Sequence, residues 1–455
     1  MGERARAGED AKNALSLYHI VARRRVNFED HVHSLYKART RLYGTFRVRF
    51  SAAEKRQLIL EAAKAHVGYH ESLYGSIFNI EFCPQDDSAY VVSSNKMVLV
   101  FDPRTHTPSR KPGHILKDAH SDCVNCISFL EGNLFATCSD DKSIKIWDRR
   151  NLYTQVAHLK GHSSWVKNIE YDPKSNLLFS IAFYDGVRSW DMNKLEYYND
   201  TPEVKDNLVF RLQDPVRMRL APDLSKMFVS MRRNLCLVVH KFDGASVGEI
   251  GSHVSELLKN PDSEVLHKQL QQRRRNQPSL HTMSGFKGRQ SFRAVMSTDF
   301  HPSSDFIALR HLDVRNESLH LELTTLYDLR HPYCPYLTYE HVHKNYVRYI
   351  DEWSPDETID YIKEISFSKD GRVLASPSEE GARLFAIDQR CTPVDLYFDE
   401  RFRSEEKSLN SVDLDVVQTS LGHSSPVLTC KFAHHDLLLG TGCLRGQVAF
   451  HKPQV

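Results

Sequence analysis

The pairs Trp147-Asp148 and Trp190-Asp191 stand 43 residues apart, and the stretches in front of them match as well. The first unit opens on Asp118-Ala119-His120 and runs through an alternating stretch, Cys123 to Leu130. Leu134 to Cys138, a polar turn Ser139-Asp140-Asp141-Lys142, and Ser143 to Trp147 complete it. The second opens on Gly161-His162 and continues through Trp165 to Tyr171 and Leu177 to Ile181. Short apolar or alternating runs between turn residues are the pattern of strands. A repeat in the low forties predicts units that cannot bury their own apolar face and must stack on copies of themselves.

Gly-His at the opening and Trp-Asp at the close resemble the WD repeat, which implies a propeller blade of four strands. Five fainter copies surround the two clear ones. They begin at Ile77, Val216, Ala294, Ile362 and Val427, the last opened by Gly422-His423. The expected fold is therefore all-β, a seven-bladed WD-repeat β-propeller. The seventh copy ends close to the C-terminus, so residues near Val67 to Ser72 are expected to supply its outer strand. Such closure would remove an open sheet edge.

Three regions fall outside the copies. Residues 1–50 carry eleven Lys or Arg against five Asp or Glu with little apolar pattern, and read as a mostly flexible basic segment. Residues 51–68 read as an amphipathic helix: Ser51 and Glu54 form a capping box, and Leu58, Ile59, Ala62, Ala63 and Val67 recur at helical spacing. The propeller is then 69–455. An insertion, 244–291, separates blades four and five and contains Arg273-Arg274-Arg275. It is expected to be removable between Gly251 and Gly288, because loop length carries only a logarithmic cost. Arg401 to Val417 reads as another loop, and His341 to Glu357 has no clear pattern.

Composition narrows the function. Sixty Lys and Arg against 58 Asp and Glu leave a net charge of +2, so no overall excess of positive charge favours nucleic acid. No run of 18 apolar residues spans a membrane. The polar start, Met1 to Asn13, is not that of a secretory leader, and the nine Cys are expected to be reduced thiols. No catalytic motif is present, and no cofactor or metal is expected. Gly440-Thr441-Gly442 lies between short strands and opens no helix, unlike a nucleotide loop. Cys123 and Cys126, three apart on a strand, face opposite ways. His341 and His343 lack further ligands.

The 24 His instead fit the repeat. In WD repeats a His, an Asp, a Trp and a Ser or Thr share a hydrogen-bond network. The resemblance implies that role for His120, Asp141 and Trp147, with Thr137 or Ser139 as the hydroxyl, and for His162, Trp190 and His423 elsewhere. Blade three is expected to have an incomplete network, because its turn Phe183-Tyr184-Asp185-Gly186 is one residue short before Trp190.

Blade two ends Asp141-Lys142-Ser143-Ile144-Lys145-Ile146-Trp147-Asp148-Arg149-Arg150. This is similar to the box of WD-repeat proteins that bind damage-specific DNA-binding protein 1, the adaptor of cullin-4 ubiquitin ligases. His162 to Asp172 and Arg217 to Asp223 extend the resemblance to the adaptor- and cullin-4-associated factors. The resemblance implies a non-catalytic substrate receptor, intracellular in the nucleus or cytoplasm, with unidentified target proteins. Arg150, Lys145 and Asp148 are the expected adaptor-binding residues, with the helix 51–68 as a second contact. Arg150 falls after the strand, where no fold requirement calls for a guanidinium. The rival reading is a WD-repeat scaffold of an RNA-processing or chromatin complex, touching phosphate through its basic N-terminus and Arg273 to Arg275.

Overall fold

Around a single ring, the innermost strands of successive sheets pack side by side, and the last returns to the first. These relations come from a computed structural model that describes residues 43–44, 46–47, 73–104, 111–195, 207–212, 215–231, 235–240, 279–284, 291–316, 319–329, 346–352, 363–378, 381–388, 390–394, 412–435 and 437–453. Among these residues the strands form seven sheets, six of four strands and one of five. The chain is an all-β propeller. Each sheet is an antiparallel meander running outward from the ring axis, apart from one parallel pair in blade five, where Val412–Asp413 joins Tyr346–Glu352.

Blade two is the clearest case. Val124–Phe129, Leu134–Ser139, Ser143–Asp148 and Asn151–Lys160 follow one another across the sheet. The inner strands are covered on both faces by neighbouring blades, so they read as near-continuous apolar runs: Ala89–Ser93 and Leu439–Cys443 are buried throughout. Each core cluster draws on two adjacent blades. Trp147 packs with Tyr90 and Val98 of blade one, and Trp190 with Ile144 and Ile146 of blade two. Ile77 and Phe82 meet Leu438 and Val448, which joins blade seven to blade one. Gly440 and Gly442 allow that approach: a Cβ on Gly442 would stand 2.3 Å from Ile77. The Gly440-Thr441-Gly442 segment is therefore a packing seam.

Several boundaries differ from those read in the sequence. The outer strand of blade seven is Phe46–Arg47, paired as Phe46↔Pro453 and Arg47↔Lys452. Ring closure does use the N-terminal side, but 20 residues or so ahead of the Val67 to Ser72 segment expected to supply it. Tyr43 is buried in the core between blades six and seven, and its hydroxyl donates to Asp370 at 2.8 Å. The end of the segment 1–50 thus belongs to the ring. The expected helix 51–68 lies outside the described residues.

The insertion 244–291 is likewise shared: Ser279–Ser284 pairs along Leu235–His240 as the outer strand of blade four. Arg273 to Arg275 lie outside the described residues. The stretch Arg401 to Val417, read as a loop, contributes Val412–Asp413, and from Asp415 it begins the outer strand of blade six, Asp415–Leu421. Tyr346–Glu352 supplies the outer strand of blade five from the stretch without a clear pattern. These are outer strands, and apart from Tyr346–Glu352, which Val412–Asp413 covers, each has a neighbour on one edge only.

Candidate functional site

The alternation of antiparallel strands fixes two rims. The turn between second and third strands, and the link from one blade to the next, lie on one rim. The turns after first and third strands lie on the other. His120, Asp141 and Lys142 therefore belong to the first rim, and Arg149 and Arg150 to the second.

The first rim holds the network. Asp141 accepts from the His120 Nδ1 side at 2.9 Å, and His120 Nε2 meets the Thr137 hydroxyl at 2.8 Å. The Trp147 indole N–H donates to the same hydroxyl at 2.8 Å. With the Nδ1 N–H of His120 donated to Asp141, Nε2 is the acceptor, so the donor order runs Trp147 to Thr137 to His120 to Asp141. Burial pushes the His120 pKa down, against the pull of Asp141, which keeps the ring neutral. Burial opposes the Asp141 charge, but bonds from His120, Ser143 and Ser121 outweigh it and hold the carboxyl well below its usual range. Of the two candidate hydroxyls, Thr137 is the hub. Ser139 accepts from the Asp141 N–H at 3.1 Å and donates to the Asp122 carbonyl at 3.2 Å.

Blade three corrects the expectation of an incomplete network. His162 reaches Asp185 at 2.6 Å and Ser180 at 2.6 Å, and Trp190 donates to Ser180 at 2.8 Å. The aspartate has moved one place along the turn. Tyr184, with φ of 57°, takes the left-handed conformation, and Gly186, with φ of 120°, follows Asp185. That path carries the carboxylate back over His162, and Arg188 pairs with it at 3.0 Å. In blade seven His423 bonds Thr441 at 2.7 Å, and His451 bonds Thr441 at 2.7 Å. His451 stands across from Leu439 as Trp147 stands across from Phe135, so it fills the Trp position. The sequence reading named His423 for this network but gave His451 no role in it.

The three box residues separate. Arg150 is 70% exposed on the second rim, where Asp148 holds its guanidinium through Nη2 at 2.6 Å and Nε at 3.0 Å. Asp148 also accepts the Arg150 backbone N–H at 2.9 Å, which forms the turn. The exposed guanidinium is thus oriented by its own aspartate. Lys145 lies elsewhere: its ammonium donates to the Ala119 carbonyl at 2.8 Å and stands 5.9 Å from the Trp147 ring centre. It serves the network on the first rim, so it does not share a site with Arg150. Arg149 clamps blade two to blade one through Asp86 at 3.0 Å and Gln85 at 3.0 Å.

Among the described residues the Asp148–Arg150 turn has two further copies that the sequence reading passed over. Arg104 pairs with Asp102 at 3.3 Å, and Arg390 with Asp388 at 3.7 Å. Each backbone N–H caps its aspartate at 2.9 Å. The signal was Asp-x-Arg at the end of a third strand, without the Trp of the full box.

Nearer the axis is an ion-pair cluster that no sequence signal had marked. Glu364 binds Arg217 at 2.5 Å and Arg219 at 3.0 Å, and Arg219 also binds Glu170 at 2.5 Å. Lys431 pairs with Glu81 at 2.6 Å. Burial raises the Glu170 pKa, whereas at Glu364 the two arginines outweigh burial and lower it. These bonds tie blades three, four and six, and one and seven. Among the described residues no cluster of His, Cys, Asp or Glu has the form of a metal site, and no helix is long and apolar enough to cross a membrane. His341 and His343 lie outside the described residues.

Comparison with known proteins places the chain among WD-repeat relatives. Residues 110–148 match the family model described as WD domain, G-beta repeat. DDB1- and CUL4-associated factor 10 of Danio rerio is 30% identical over 467 residues, covering 96% of this chain and 84% of that protein. The Homo sapiens protein of the same name is 31% identical over 420 residues, covering 84% and 70%. Nuclear distribution protein PAC1 of Candida tropicalis is 34% identical over only 79 residues, 17% of this chain.

Proposed function

Because this chain belongs to the family of DDB1- and CUL4-associated factor 10, we propose that it is a substrate receptor of a cullin-4 ubiquitin ligase. It binds the adaptor DDB1 and presents target proteins for ubiquitination. The chain itself is a non-catalytic WD-repeat subunit, and the hydroxyl and imidazole groups of its networks are committed to holding the blades. Its setting is then the nucleus or cytoplasm, where the ligase works.

The observation that carries the reading is Arg150. A guanidinium fixed by Asp148 on an exposed rim has already lost part of its rotamer freedom, so pairing with a partner's carboxylate costs less ordering. Arg is also favoured among residues that dominate interfaces. Lys145 is left out of this contact, since it serves the network on the other rim. The helix expected over 51–68 remains the second adaptor contact in this reading.

Affinity purification of the tagged full chain from cell extract tests it. The adaptor and cullin-4 are expected to co-purify, together with target proteins that accumulate when ubiquitination is blocked. Recovery of the folded chain without the adaptor would contradict the proposal.

A further inference from the structure

The rim opposite Arg150 carries an aromatic cluster with no role in the networks. Trp165, in the link before blade three, is 50% exposed, and Tyr184, in the turn of the same blade, is 71% exposed. Phe183 lies between them, its ring centre 6.5 Å from Trp165 and 5.3 Å from Tyr184. The Phe183 N–H donates to the Trp165 carbonyl at 3.0 Å, so the link and the turn are one unit. Lys167 stands over the Trp165 ring at 5.0 Å and is held there by Asp140 at 2.6 Å. Tyr184 keeps its bulky side chain in a left-handed backbone conformation, φ 57°, where glycine would be unstrained. The matching turns hold Lys96 and Lys142 in the same conformation, so the backbone belongs to the turn, and the large exposed ring is what Tyr184 adds to this rim.

Charge on this rim identifies the partner. Across blades one to three, Lys96, Lys117, Lys142 and Lys160 are exposed and have no ion-pair partner among the described residues. The exposed carboxylates there are Asp118 and Asp122. Lys160 pairs in register with Ser143, beside Lys142, and leads through Gly161 into the link that carries Trp165. His158, on the same strand, is pushed down to about 4 by burial and then by Lys160 and Lys145.

We infer that Trp165, Phe183 and Tyr184, with Lys142 and Lys160, form the docking surface for an acidic protein segment that carries an aromatic side chain. The rings supply rigid apolar area and the lysines neutralise the segment's carboxylates. The inference rests on the receptor reading for its biological meaning, because it assigns the target to the rim that the adaptor leaves open. Its physical content is independent of the adaptor.

The test uses the purified full chain and labelled twelve-residue peptides, read by fluorescence anisotropy. One probe is Asp and Glu with two Phe; a second replaces Phe by Ala; a third replaces the acids by Lys. A single-stranded oligouridylate is the fourth. The acidic Phe peptide is expected to bind at least about tenfold more tightly than each of the others, and more weakly as salt rises. Tyr184→Gly should weaken it about tenfold with no loss of thermal stability, because glycine relieves the left-handed strain. Lys142→Glu with Lys160→Glu should weaken it by about the same factor. Arg150→Ala should leave peptide binding unchanged while adaptor association falls, so failure of one reading is distinguishable from failure of the other. No binding of the acidic Phe peptide, equal binding of the Ala or Lys peptide, tighter binding of the RNA, or full affinity in Tyr184→Gly would overturn the inference.

Discussion

Thr137→Val isolates the hub of the blade-two network. Valine matches threonine in volume, so no cavity opens, and it suits a strand. What is lost is a hydroxyl that accepts the Trp147 indole N–H at 2.8 Å and meets His120 Nε2 at 2.8 Å. Thr137 is fully buried, so no water replaces it. Each stranded buried group costs about 1–3 kcal/mol, and the pair about 2–5 kcal/mol. Ser139→Ala is the matched comparison. Its hydroxyl bonds two backbone groups and should cost about 1 kcal/mol. Urea unfolding reads both as a shift in midpoint at unchanged slope. Combining Thr137→Val with Trp147→Phe should cost less than the sum of the two changes, because both remove the same bond. Equal effects of Thr137→Val and Ser139→Ala, or full additivity in the double variant, would refute the assignment of Thr137 as the hub.

Three further outcomes follow from the geometry. Glu364→Gln leaves two buried guanidiniums without their shared carboxylate and should destabilise the ring by about 3–5 kcal/mol, read as a fall in unfolding midpoint. Deleting 251–277 with a short linker should leave the melting temperature nearly unchanged, whereas deleting 251–288 removes Ser279–Ser284 and exposes the edge of Leu235–His240, so it should melt earlier. Acidification should destabilise the fold in two stages. His120, His162 and His158 are pushed down by burial, so the unfolded chain takes up protons first as pH falls through about 6.5. Asp141 and Asp185, held down by hydrogen bonds that outweigh burial, add a further loss below about pH 4. An unfolding midpoint that stays level between pH 7.5 and 5 would contradict the histidine assignment.

What the sequence made legible were the inner strands, because burial on both faces writes apolar runs such as Tyr90 to Val92 and Leu134 to Cys138. The outer strands were hidden. Asn151–Lys160 is exposed along much of its length, and its residues reflect solvent as much as sheet. Phe46–Arg47 is too short to show a period at all. The networks were legible where residue identity carried them, as at His120 and His162. They were missed where geometry compensated: Tyr184 and Gly186 restore the aspartate's reach, and His451 replaces an indole. Arg150 and Asp148 stood out in the sequence because their full box is intact, but the ion pair between them is visible only in the folded turn. Lys145 stands in the same box but serves the other rim, which spacing along a strand does not reveal. The Arg217–Glu364 pair joins residues 147 apart in sequence, and only ring closure brings them together.

The affinity of the purified chain for purified DDB1 tests the central claim most directly, with wild type, Arg150→Ala, Arg104→Ala and Arg390→Ala compared in one titration. The three arginines share the same capped turn, so loss of the side chain should cost each fold little, about 0.5 kcal/mol or less. Truncating one partner of an interfacial charge pair costs about 2–5 kcal/mol, so Arg150→Ala should weaken binding roughly thirtyfold or more. Arg104→Ala and Arg390→Ala should stay within about threefold of wild type, the spread of near-neutral surface changes. Wild-type protein that does not bind DDB1, or Arg150→Ala that binds as wild type does, would contradict the account.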